Sequence, residues 1–97
     1  MRRAEALRIL SEQKADLARR FGVKDLFLFG SVAHDRAGPE SDIDVLVEFD
    51  GAATFDRFMG LKLCLEALLA TRVDLVTRAA LRERLRPSIE RDAIHVA

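Results

Sequence analysis

Ser41-Asp42-Ile43-Asp44-Val45-Leu46-Val47-Glu48-Phe49 is the stretch on which the fold turns. Its residues separate with a period of two. Ile43, Val45, Val47 and Phe49 fall on one face, and Asp42, Asp44, Leu46 and Glu48 on the other. That is the pattern of a strand with one side on a core. Two carboxylates at i and i+2 then share the second face, about 6–7 Å apart by the rise of a strand. Like charges on a largely apolar strand repel and are costly to desolvate. A divalent cation removes that cost, and Mg²⁺ favours one or two carboxylates together with substrate phosphates. The plain alternative is an exposed strand end, and an isolated Asp-x-Asp does not choose between the two.

Upstream, Val23-Lys24-Asp25-Leu26-Phe27-Leu28-Phe29 ends in four apolar residues, as a strand covered on both sides does. Before it, Leu7, Leu10, Leu17 and Phe21 form a helical stripe over residues 3–21, with Lys14 interrupting it and Gly22 as its stop. After it, Gly30-Ser31 ends the strand abruptly, and a short helical turn over 32–36 and a Gly38-Pro39 loop follow. Downstream of the central strand, Asp50-Gly51 is a turn. Thr54 caps a helix running to about Ala70. Val73-Asp74-Leu75-Val76-Thr77 is a third strand, residues 78–86 a helix, Pro87-Ser88 the start of a further helical piece, and Ile94-His95-Val96 an edge strand or a packed tail. Helices alternating with strands over this length give an α/β or α+β domain around a small sheet.

The chain's 97 residues are expected to form a single domain, residues 1–97. Apolar residues at 49%, charged ones at 33% and a mean hydropathy of +0.02 exclude a disordered chain. Sixteen basic residues meet sixteen acidic ones. Without a basic excess, direct stable binding to nucleic acid is not expected. The single Cys64 excludes an intrachain disulfide and a cysteine zinc site. It reads as a small core hydrophobe. No apolar run is long enough to span a membrane, and no signal-peptide core follows the charged N-terminus, so a cytoplasmic protein is expected. Arg outnumbers Lys by thirteen to three, a bias that suits phosphate and interface work.

Two further features bear on the acidic pair. Gly30 lets backbone approach a ligand, and the N–H groups of the turn after it, with the Ser31 hydroxyl, suit an anion. Asp74 places another carboxylate within an apolar strand. If that strand lies beside the central one, Asp42, Asp44 and Asp74 form one acidic cluster. A salt bridge from Asp74 to Arg72 or Arg78 is the plainer account, and it fits poorly with the apolar neighbours.

Gly30-Ser31-x-Ala33, Ser41-Asp42-Ile43-Asp44-Val45-Leu46-Val47 and Val73-Asp74-Leu75-Val76 together resemble the minimal nucleotidyltransferases of the DNA polymerase β-like superfamily. The likeness runs over nearly the whole chain, and it is closest to the antitoxin branch paired with HEPN-domain toxins. It implies a small mixed sheet of three to four strands flanked by helices. It implies that Gly30, Ser31 and Ser41 hold a nucleoside triphosphate, and that Asp42, Asp44 and Asp74 are the catalytic carboxylates and the ligands of two Mg²⁺ ions. Asp74 would also help activate the attacking hydroxyl. The implied reaction is transfer of AMP from ATP to a tyrosine of the partner toxin with loss of pyrophosphate, which silences the toxin.

The chain departs from the family where Arg-Gly commonly follows Gly-Ser-x-Ala. Here His34-Asp35 stands. His34 is then a phosphate contact or a solvated loop residue, Arg36 is the basic residue placed to reach the triphosphate, and Asp35 adds an unfavourable charge. His95 reads as structural. The 55–70 helix carries only Asp56, Arg57, Lys62 and Glu66 as charges, so it is expected to be buried on more than one side, with part of it at an interface and Gly60 admitting a close neighbour. Arg78, Arg82, Arg84, Arg86 and Arg91 read as a solvated face balanced by Glu83, Glu90 and Asp92. The chain has no tyrosine, so it is not its own Tyr acceptor. Two other readings stay open: an antitoxin that acts by docking alone, and a transferase acting on a small molecule.

Overall fold

The computed structural model describes residues 2–30, 42–83 and 93–97. Helix α1 (Arg3–Phe21) buries Ala6, Leu10 and Leu17 along one stripe. Lys14 interrupts that stripe in sequence and completes it in space. Its Nζ donates to Asp25 Oδ1 at 3.2 Å and to the Val96 carbonyl at 2.8 Å. The charged head thereby ties the helix to Asp25, in the first strand, and to the C-terminal end of the chain. Glu5 in the first turn and Arg19 and Arg20 in the last match the helix dipole. Gly22 ends α1 in the left-handed region, φ 71°, and its N–H donates to the Ala18 carbonyl at 3.0 Å.

Strand β1 (Val23–Phe29) pairs antiparallel with β2 (Ile43–Phe49). Helix α2 (Phe55–Leu69) then carries the chain back so that β3 (Val73–Thr77) joins β2 in parallel. Helix α3 (Arg78–Glu83) follows directly, and β4 (Ile94–His95) pairs antiparallel with β1 on its outer side. The order is β3-β2-β1-β4, a four-stranded mixed sheet, as the resemblance implies. Val96, beyond β4, donates its N–H to Leu26 and is fully buried.

The period-two reading of β2 holds. Ile43, Val45, Val47 and Phe49 join Leu10, Leu17, Leu61, Leu65 and Leu69 in the main core beneath α1 and α2. Leu46 faces the other way and packs with Phe29 and Val76, against which Phe27, Ala80 and Ala93 lie. In β1 the register shifts between Val23 and Asp25, and this irregularity lets both Val23 and Leu26 point into the main core. The strand begins at Ile43 rather than Ser41; Asp42 sits just ahead of it, and Ser41 lies outside the described residues.

Thr54 caps α2 as expected, its Oγ1 accepting the Arg57 N–H at 3.2 Å. The helix buries Leu61, Leu65 and Leu69 on one side and leaves Phe55 and Leu63 exposed on another. A β-carbon on Gly60 would stand 2.8 Å from Phe21 Cε1, so this glycine admits the α1 ring. Cys64 is half-buried at the rim of the core. His95 is structural, as read. Its Nε2 lies 2.6 Å from Asp25 Oδ1 and its ring packs on Phe27, with centroids 5.1 Å apart. The expected turn at 32–36, the Gly38-Pro39 loop, the end of the 78–86 helix and the Pro87-Ser88 piece lie outside the described residues. No described helix is long and apolar enough to cross a membrane.

Candidate active site

The parallel pairing of β2 with β3 decides the geometry of the acidic residues. Asp44 and Asp74 are partners in the ladder. Strand alternation turns both to the face opposite α1 and α2, because Ile43, Val45, Val73 and Leu75 fill the main core. The two carboxyls are within hydrogen-bonding reach of each other. Asp74 is exposed, while Asp44 is half-buried. Burial, first, and then the charges of Asp74 and Asp42 push the Asp44 carboxyl up to about 6. A carboxyl crowded by two others is a site short of positive charge.

Gly30 closes one side of this site. Phe29 is the ladder partner of Asp44 across β1 and β2, so the next residue lies against the Asp44 side chain. Gly30 takes φ 70°, and a β-carbon there would collide with the Asp44 carboxylate. Position 30 is therefore doubly restricted to glycine, by conformation and by space. The backbone at the end of β1 and the carboxylates of β2 and β3 thus share one small volume, as the juxtaposition of Gly30-Ser31 with Asp42 and Asp44 suggests in sequence.

Asp42 is placed differently. Its Oδ1 forms an ion pair with Arg72 Nε at 3.1 Å, with 47% of the Asp42 side chain and 77% of the Arg72 side chain exposed. Among the described residues, no three His, Cys, Asp or Glu side chains gather closely enough to hold a metal ion. The structure brings Asp44 and Asp74 together and holds Asp42 on its arginine. The donor set nevertheless suits a hard divalent cation. Carboxylate oxygens are its preferred ligands, and its charge offsets both the burial and the neighbouring charges that raise the Asp44 carboxyl. Arg72 and Arg78, the two arginines flanking Asp74 in sequence, are engaged elsewhere: Arg78 Nε lies 3.3 Å from Glu48 Oε2, and its guanidinium stacks on Phe27 at 5.2 Å.

Two supporting residues escape a reading of the sequence. Glu66 Oε2 accepts the Val73 N–H at 3.0 Å and Lys62 Nζ at 3.1 Å. The Val73 N–H, first, and Lys62 hold the Glu66 carboxyl below its usual range. This bond fixes the entry of β3 one residue before Asp74. In sequence, Lys62 and Glu66 look only like a solvated i,i+4 pair. Arg72 is the other. Its carbonyl accepts the Ile43 N–H at 2.9 Å, which joins the starts of β2 and β3 and sets its side chain beside Asp42. Of the remaining expected site residues, Ser31, Arg36 and Ser41, with His34 and Asp35, lie outside the described residues.

The family model for a nucleotidyltransferase domain matches residues 10–96. The chain is 38% identical over 88 residues to the protein adenylyltransferase MntA of Thermococcus cleftensis, with 91% of this chain and 89% of that protein covered. Superposition on a solved candidate minimal nucleotidyltransferase gives a TM-score of 0.79 at 41% identity, over 97% of this chain and 95% of the other. The MNT antitoxin complex with a tri-AMPylated Shewanella oneidensis HEPN toxin shares the fold, with a TM-score of 0.65 at 19% identity over 94% of this chain and 71% of the other. The four-stranded mixed sheet agrees with these likenesses, and the chain belongs to the nucleotidyltransferase domain family.

Proposed function

We propose that this protein is a Mg²⁺-dependent adenylyltransferase antitoxin that transfers AMP from ATP to a hydroxyl, that of a tyrosine, on a partner HEPN-domain toxin. The observation that carries the reading is the pairing of Asp44 with Asp74 across parallel strands, against a glycine with no room for a side chain. The adenylyltransferase relative supports the reaction, and the AMPylated toxin complex supports the kind of acceptor.

Asp42, Asp44 and Asp74 are the residues proposed to hold two Mg²⁺ ions. Held there, such ions would supply the positive charge that offsets the triphosphate and the charge developing in an in-line displacement. Gly30, with Ser31, Ser41 and Arg36, is proposed to bind the nucleotide. The acceptor oxygen forms a bond to the α-phosphorus, the bond from that phosphorus to the bridging oxygen of the β-phosphate breaks, and pyrophosphate leaves. Asp74, the exposed member of the pair, is proposed to take the proton of the attacking hydroxyl. Asp44 lies deeper and orders the site.

Intact-mass spectrometry tests this. The protein is incubated with ATP, Mg²⁺ and the product of its adjacent gene, beside Asp44→Asn and Asp74→Asn variants. An AMP-sized gain on the partner with the native chain, absent with either variant, supports the reading. A stable complex with no mass gain makes the protein an antitoxin that acts by docking alone.

A further inference from the structure

We propose that Arg72 is a charge-compensating residue of this site, held on Asp42 in the absence of a cation and turned to the phosphates of a bound nucleotide when a cation takes Asp42. The inference rests on the reading of the Asp42, Asp44 and Asp74 cluster as the cation and nucleotide site. Three features of the structure carry it. The Arg72 carbonyl is pinned by the Ile43 N–H at 2.9 Å, so the side chain leaves the backbone at a fixed point between the starts of β2 and β3. Its Nε lies 3.1 Å from Asp42 Oδ1, one residue ahead of the strand that carries Asp44. The side chain is 77% exposed, so it swings away from Asp42 without emptying any packed space. Its charge is also felt by Glu66, which is held independently by Val73 and Lys62.

The sign of the effect follows from charge alone. A divalent cation approaching Asp42 must displace Arg72 and then lies next to it, so Arg72 opposes the bare cation. A triphosphate on that cation brings negative charge within the arc of the released guanidinium, so Arg72 favours the nucleotide. A residue that only supported the fold would move both affinities the same way or neither.

Calorimetric titration of the full chain with Mn²⁺ alone, and then with AMP-PNP at saturating Mn²⁺, reads both couplings. Arg72→Gln is expected to tighten Mn²⁺ by about two- to fivefold and to weaken AMP-PNP by about the same factor, the range of an exposed ion pair. Arg72→Lys, which keeps the charge, is expected to bring both affinities back toward the native values. Affinities that shift in the same direction, or that stay unchanged in Arg72→Gln, overturn the proposal. Asp42→Asn separates this failure from the failure of the site itself. If it loses Mn²⁺ binding while Arg72→Gln changes nothing, only the role of Arg72 falls. If it binds Mn²⁺ as the native chain does, the cation site is wrong and Arg72 falls with it.

Discussion

Replacing Asp44 by Asn should stabilise the protein when no metal is present. Folding raises this carboxyl from the ordinary 3.8 to about 6, chiefly by burial and then by the charges of Asp74 and Asp42. A raised carboxyl penalises folding when both states are ionised, above about pH 6, and not at all when both are protonated, below about pH 4. Each pH unit between the two values corresponds to about 1.4 kcal/mol, which sets a ceiling of about 3 kcal/mol. Asp44 is only half-buried, and solvent screening brings the expected effect down to about 1–2 kcal/mol. In a domain of this size that is a rise in Tm of about 5–10 °C. Urea denaturation in EDTA at pH 8 and at pH 4 measures it. Asp44→Asn should exceed the native chain at pH 8 and match it at pH 4, while added Mg²⁺ should stabilise the native chain and not the variant. A variant no more stable than the native chain in EDTA at pH 8 refutes the claim that the cluster is under charge repulsion.

Gly30→Ala should destabilise the protein by about 1–3 kcal/mol, because a side chain there is strained at φ 70° and collides with the Asp44 carboxylate; chemical denaturation reads the loss. Leu65→Ala, at a fully buried position of α2, should cost about 2–5 kcal/mol in the same assay, whereas Leu63→Ala on the exposed side should cost less than about 0.5 kcal/mol. The hydrogen bond from His95, and then Lys14, holds the Asp25 carboxyl below its usual range. Its contribution to stability is present above the ordinary carboxylate range and fades as pH falls through the lowered value. Asp25→Asn should therefore flatten the acid limb of a stability-against-pH curve and leave β4 more open to hydrogen exchange.

The fold was legible in the sequence where periodicity and punctuation agree. Leu10, Leu17 and Gly22 mark α1, the alternation from Ile43 to Phe49 marks β2, and Thr54 marks the start of α2. The juxtaposition of Asp44 with Asp74 was legible only as a conditional, because adjacency of β2 and β3 is a tertiary fact that local pattern does not carry. Lys14 looked like a flaw in a stripe because its partners, Asp25 and Val96, are 11 and 82 residues away. Glu66 was hidden for a related reason: its acceptor role points to a backbone N–H, which no side-chain pattern reveals. The apolar composition of α2 points to burial on more than one side, but the structure buries only the Leu61, Leu65 and Leu69 side and leaves Phe55 and Leu63 exposed, because composition does not tell how many neighbours a helix has.

The most direct test of the central claim follows the phosphates of ATP. The protein, Mg²⁺ and the product of its adjacent gene are incubated with ATP radiolabelled either at the α- or at the γ-phosphate. Nucleotidyl transfer predicts that the α-label becomes covalently bound to a partner tyrosine, that the γ-label leaves as pyrophosphate, and that Asp74→Asn abolishes both. Label from the γ-phosphate on the partner, or α-label transferred equally well by Asp74→Asn, contradicts the account.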